Sequence, residues 1–99
     1  MKGVPHGMRA VFNGVVVAES EATVVVEGNH YFPPSSVKAG YFTATDLSTH
    51  CPWKGDASYY DISVGDQTAA NAAWFYPTPM EKASNIRDHV AFYPVVQVS

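Results

Sequence analysis

Three β-branched runs stand close together near the start of this chain, and they constrain its fold more than any other feature. Arg9-Ala10-Val11-Phe12 runs into Asn13-Gly14 and Val15-Val16-Val17-Ala18-Glu19 follows; after the polar break Ser20-Glu21-Ala22 comes Thr23-Val24-Val25-Val26-Glu27, closed by Gly28-Asn29. Valine loses side-chain freedom in a helix and packs well on a pleated surface. Asn and Gly both tolerate the positive φ that a two-residue hairpin turn demands. An antiparallel meander is the natural expectation. Residues 15–17 and 24–26 do not alternate with polar residues, so both faces of these strands are expected to be covered.

Downstream the pattern stays strand-like but is broken by proline. His30-Tyr31-Phe32 is followed by Pro33-Pro34, which excludes a central strand. Residues 35–38 read as a single helical turn capped by serine. Strands are expected at 41–45, 57–64, 72–76 and 90–98, with a polar connection at 46–49 and a compact loop at 50–56. The alanine-rich stretch 67–73 reads as a loop or irregular turn. One helix is expected near residues 79–89, with Thr78 as N-cap, Pro79 as first helical residue and Glu81 in the first turn. Met80, Ala83, Ile86 and Val90 would then share one helical face. The expected fold is mostly β, a small antiparallel domain with one short C-terminal helix. It spans residues 1–99 as a single domain, with residues 1–8 a loose N-terminal tail.

Composition narrows the function classes. Apolar residues make up 46% of the 99 and charged residues only 15%, which excludes disorder. No apolar run approaches the roughly 18 residues a membrane helix needs, and no basic, apolar leader pattern opens the chain. A net charge of −3 is a poor start for gripping phosphate backbones, so no nucleic-acid partner is expected. One cysteine cannot form an internal disulfide or build a zinc site alone, and the four histidines lack ligand spacing. No metal and no cofactor are expected, since the phosphate-cradling and metalloenzyme motifs are absent. A cytoplasmic location is the expectation.

Two residues stand out as candidates for chemistry, Cys51 and Lys54. A nucleophilic cysteine needs a cation or base nearby to hold its thiolate, and Lys54 is three residues on. His50 is adjacent but points to the opposite face of a strand, which leaves His30 or His89 as alternative bases. Against this, free cysteine is more often a buried, inert packing residue. Tyr31, Trp53, Tyr59, Trp74 and Tyr76 supply apolar rings with polar tips, suited to a planar ligand, and they are equally suited to a core. His30, Tyr31, Trp53, Lys54, Tyr59, Trp74 and Tyr76 are the expected ligand-binding set.

Four blocks of the sequence resemble a known family. Val26-Glu27-Gly28-Asn29-His30-Tyr31-Phe32-Pro33-Pro34 and Thr49-His50-Cys51-Pro52-Trp53-Lys54-Gly55-Asp56-Ala57-Ser58-Tyr59-Tyr60 are similar to the domain-of-unknown-function family four-two-seven. Ala73-Trp74-Phe75-Tyr76-Pro77 and Ile86-Arg87-Asp88-His89-Val90-Ala91-Phe92-Tyr93 extend the match over the chain from Arg9 on. The family carries a nucleotidyltransferase-like label, though neither the carboxylate pair nor the Gly-rich turn of that chemistry is visible here. It also looks similar to β-tent or pseudobarrel folds, which implies a ligand cleft between sheets, with the paired C-x-x-C zinc knuckles of that group replaced by packing.

The first functional expectation is a small-molecule-binding domain whose aromatic cleft is anchored by Lys54. The second is a cysteine-dependent or nucleotidyltransferase-like enzyme using Cys51 and Lys54, with His30 or His50 as base. The third is an interaction module whose edge strands pair into a homodimer.

Overall fold

Asn13 and Gly14 adopt φ of 50° and 76°, the left-handed pair of a tight two-residue turn. They join β1 (Met8–Phe12) to β2 (Val15–Ser20) in the computed structural model, which describes residues 7–99. The strands pair directly, from Phe12 opposite Val15 to Met8 opposite Ser20. Residues 1–6 of the expected tail lie outside the described residues, and Met8 already belongs to β1. A second hairpin repeats the plan: β3 (Val24–Val26) turns through Glu27 and Gly28, at φ of 53° and 80°, into β4 (Asn29–Tyr31). Holding glutamate in the left-handed region costs about 1–2 kcal/mol, so the surroundings of Glu27 must enforce it.

The larger sheet is β5 (Phe42–Cys51), β6 (Gly55–Val64), β7 (Gln67–Phe75) and β8 (Val90–Phe92), antiparallel in that spatial order. The short β9 (Gln97–Val98) returns to β1, so the first sheet runs β2-β1-β9. Among the described residues the strands thus form three antiparallel sheets, and the mostly-β reading holds.

Several local expectations fail for identifiable reasons. Residues 46–49 are not a connection but lie within β5, an edge strand whose bulge tolerates polar residues on an exposed flank. Residues 67–73 are not a loop but most of β7, because pairing with β6, joined by β8 only from Ala73 on, overrides the poor strand propensity of alanine. The loop expected at 50–56 shrinks to Pro52, Trp53 and Lys54, since Cys51 already pairs with Gly55. The expected helix over 79–89 is only a 3-10 segment, Glu81–Ile86, broken at Ala83 (φ −115°) and without a side-chain cap. Ala83 and Ile86 are buried there, so the segment follows the surface it packs on and closes 3-10 turns in place of α-helical ones. Residues 35–38 contain the tail of a 3-10 turn, Pro34–Ser36, and Ser36 donates back to the Pro33 carbonyl at 2.7 Å without capping.

Both faces of the four-stranded sheet are covered, and strand parity sorts its residues. Phe32, Ile62, Ala73, Val90 and Phe92 pack with Ala10, Val17 and Ala18 of the first sheet in one core. Tyr31, Ala57, Tyr59, Tyr76, Ala83, Ile86 and Ala91 form the second core, under the β3–β4 hairpin. Tyr59 and Tyr60 therefore face opposite sides of β6, as consecutive strand residues must. The hairpin itself is covered on one side only: Val24 and Val26 pack inward, and Val25 is exposed, contrary to the expectation for residues 24–26.

Candidate functional site

The three-residue turn between β5 and β6 presents Lys54 to the margin of the second core. Gly55, at φ 114°, lets the chain turn back at once and lie against the backbone of residues 78–80. The Met80 amide donates to the Lys54 carbonyl at 2.8 Å and pins the turn. Lys54 is only 7% exposed, an unusual place for an ammonium group. Its Nζ lies 5.2 Å from the centre of the Trp53 ring and 5.8 Å from that of Tyr76. It donates to Oε1 of Glu27, while Trp53 Nε1 donates to Oε2 at 3.3 Å. Glu27 stays half-exposed, so the ion pair has one buried and one hydrated end.

The Lys54 hydrogen bond first, then those of the indole and the ammonium charge, hold the Glu27 carboxyl below the usual carboxylate range against some desolvation. Burial works against the Lys54 ammonium, but the Glu27 bond and the nearby Tyr76, Tyr31 and Cys51 groups outweigh it and raise its pKa. Burial pushes Tyr76 up to about 12 and also raises Tyr31, so both phenols remain protonated neighbours. A depressed carboxylate contributes stability above its ordinary range and loses it as pH falls through the folded value. A raised ammonium contributes below its ordinary range and loses it as pH rises through the folded value. The pair is therefore intact at neutral pH and opens at acid. Glu27→Gln is expected to make the acid limb of a stability-against-pH curve shallower below about pH 4.5, read by urea denaturation at stepped pH; an unchanged limb would show that the pair adds nothing.

The remaining expected residues divide between core and rim. Tyr31 is buried and accepts a hydrogen bond from Trp74 Nε1 at 3.1 Å, the two rings edge to face. Tyr59 is buried, shares a 2.8 Å hydrogen bond with the Thr49 hydroxyl and stacks on Tyr93. Trp74 leans on the same Tyr93, with ring centres 4.7 Å apart. Tyr59 and Tyr76 are buried core residues. Trp53, by contrast, is 39% exposed and borders an open groove of about 360 Å³ with Pro52, Met80, Glu81 and Lys82.

Cys51 is half-buried at the other end of the turn and packs against the second core. The described histidines have their rings engaged elsewhere. His50 pairs across the strands with Asp56 at 2.8 Å, His30 with the Thr23 hydroxyl at 2.9 Å, and His89 with the Arg87 carbonyl at 2.9 Å. The structure brings Cys51, Lys54, Tyr31, Trp53, Trp74 and Tyr76 into one neighbourhood and leaves His30 facing away from it, bonded on β4.

Sequence reasoning missed Glu27 as the partner of Lys54, Met80 at the groove and Tyr93 as the ring packed on Tyr59 and Trp74. For Glu27 a local clue exists: a glutamate before glycine between two Val-Asn strand ends occupies a two-residue turn and is thereby displayed. A family model described as a domain of unknown function (DUF427) matches residues 1–99. No curated protein matches the chain.

Proposed function

The chain belongs to that family of unknown function, and on this footing we propose that it is a small-molecule-binding domain. Its ligand lies in the groove beside Trp53 and places an acceptor group toward Lys54. The observation that carries this reading is a charged lysine only 7% exposed, set against an exposed tryptophan at the edge of an open groove.

Stability alone gives little reason for that arrangement. Cation–π contact contributes about 0.5–2 kcal/mol, and buried ion pairs are commonly replaceable by apolar residues without loss. Glu27 neutralises Lys54 in the ligand-free protein but takes up one of three ammonium donors. A carbonyl, carboxylate or phosphate oxygen uses the others, and the exposed face of Trp53 stacks on the planar part of the same molecule. Lys82 at the groove adds a second cation, beside the Glu81 carboxylate.

Lys54→Met separates this from a purely structural lysine, because methionine keeps the stem and removes the charge. The variant is expected to fold with stability within about 1 kcal/mol of the parent, since half-exposed Glu27 can be hydrated. In a thermal-shift screen of metabolites, compounds that stabilise the parent are expected to lose their effect on the variant. Equal shifts on both proteins would remove Lys54 from the site, and a variant that failed to fold would make it structural.

A further inference from the structure

Tyr60, which faces the other side of β6 from Tyr59, lies at a second and more enclosed cavity of about 150 Å³. Its walls are Pro34, Val37, Phe42 and Val90, with Asp88 at the margin. The Tyr60 ring is held rigidly, stacked on Phe75 at 4.5 Å and met edge-on by Phe42 at 5.5 Å. Asp88 sits in the left-handed region at φ 60°, its amide donating to the Tyr76 carbonyl at 3.0 Å. The backbone thus fixes the Cα from which this exposed carboxylate extends at the cavity margin. Asp88 is exposed, and among the described residues neither its hydrated carboxylate nor the Tyr60 hydroxyl makes a protein hydrogen bond or ion pair. Burial and then the charge of Asp88 raise the pKa of the Tyr60 phenol, so the two groups lie within electrostatic reach of one another.

We propose that this cavity binds a small primary alkylammonium group, its chain against Phe42, Val37 and Val90 and its nitrogen donating to Asp88 and to the Tyr60 oxygen. An anion is repelled by Asp88, and a neutral alkyl molecule gains nothing from its charge. At about 30 Å³ per water-sized group, the cavity takes roughly five heavy atoms, which suits a four-carbon amine. The same head group occurs on free amines and on lysine side chains.

The test is a titration of the full chain, observed by backbone amide NMR at constant ionic strength, with n-butylammonium, Nα-acetyl-lysine methylamide, butan-1-ol and butyrate. Saturable shifts confined to Tyr60, Asp88 and Val90 are expected with an ammonium ligand, and the tighter of the two ammonium compounds identifies the source. Asp88→Asn keeps a residue that accepts the left-handed conformation, so it is expected to fold and to bind at least fivefold more weakly. Tyr60→Phe, which retains the ring, is expected to weaken binding by less. No saturable shift with either ammonium compound, equal binding by butan-1-ol, or unchanged affinity in Asp88→Asn would overturn the proposal.

Discussion

Phe32→Ala is expected to destabilise the protein by about 3–5 kcal/mol, the range for removing a large aromatic from a core. Phe32 is completely buried and meets the Phe92 ring edge-on at 5.5 Å. Its backbone exchanges two 2.8 Å hydrogen bonds with Val90, tying the end of the β3–β4 hairpin to β8. A domain of this size has about 5–15 kcal/mol of stability in all, so such a loss is a large share of it. Urea denaturation monitored by tryptophan fluorescence reads the effect as a lower midpoint at unchanged slope. A loss below about 1 kcal/mol would mean that the ring is not packed as described. The same anchor positions Glu27, so the variant is also expected to weaken ligand stabilisation at Lys54.

Gly55→Val is expected to cost about 3 kcal/mol or more, from two sources that add. A side chain at φ 114° is strained by about 1–3 kcal/mol before it meets anything. A Cβ there would also stand 3.3 Å from the Thr78 carbonyl oxygen and 3.4 Å from the Met80 nitrogen, both backbone atoms that cannot swing aside. Relief requires the segment at residues 78–80 to retreat, which breaks the Met80–Lys54 hydrogen bond and releases the turn that holds Trp53 and Lys54. Thermal unfolding and Trp53 indole NMR check both consequences. A variant of parental stability with an unmoved indole signal would contradict the close approach.

The elements most legible in the sequence are those whose local chemistry leaves no alternative. Asn13-Gly14 accepts positive φ at both positions, so that turn and the flanking strands follow directly. Strand parity likewise predicts that Tyr59 opposes Tyr60 and that His50 turns away from Cys51. The misread elements are those where neighbours overrule propensity. The alanine-rich start of β7 is a strand because it pairs with β6, and the segment after Pro79 shows helical spacing yet docks as an irregular 3-10 turn. At the site, Lys54 and Trp53 stand out as a rare cation beside an aromatic in a Pro-Trp-Lys-Gly turn. The division of the other aromatics into buried Tyr31, Tyr59 and Tyr76 and exposed Trp53 has no trace in their order along the chain.

The amino-acid sequence by itself determined a mostly antiparallel, aromatic-rich β fold, the Asn13-Gly14 hairpin and the family to which the chain belongs, because periodicity, turn chemistry and motif are properties of neighbouring residues. Tertiary structure alone decided that Glu27, 27 positions away, closes over Lys54. It also decided that Asp88 and Tyr60 meet at one cavity and that alanine-rich β7 is an inner strand. Each of these depends on which faces two distant segments bury against each other, and burial is a free energy of the whole packed chain that local spacing does not encode.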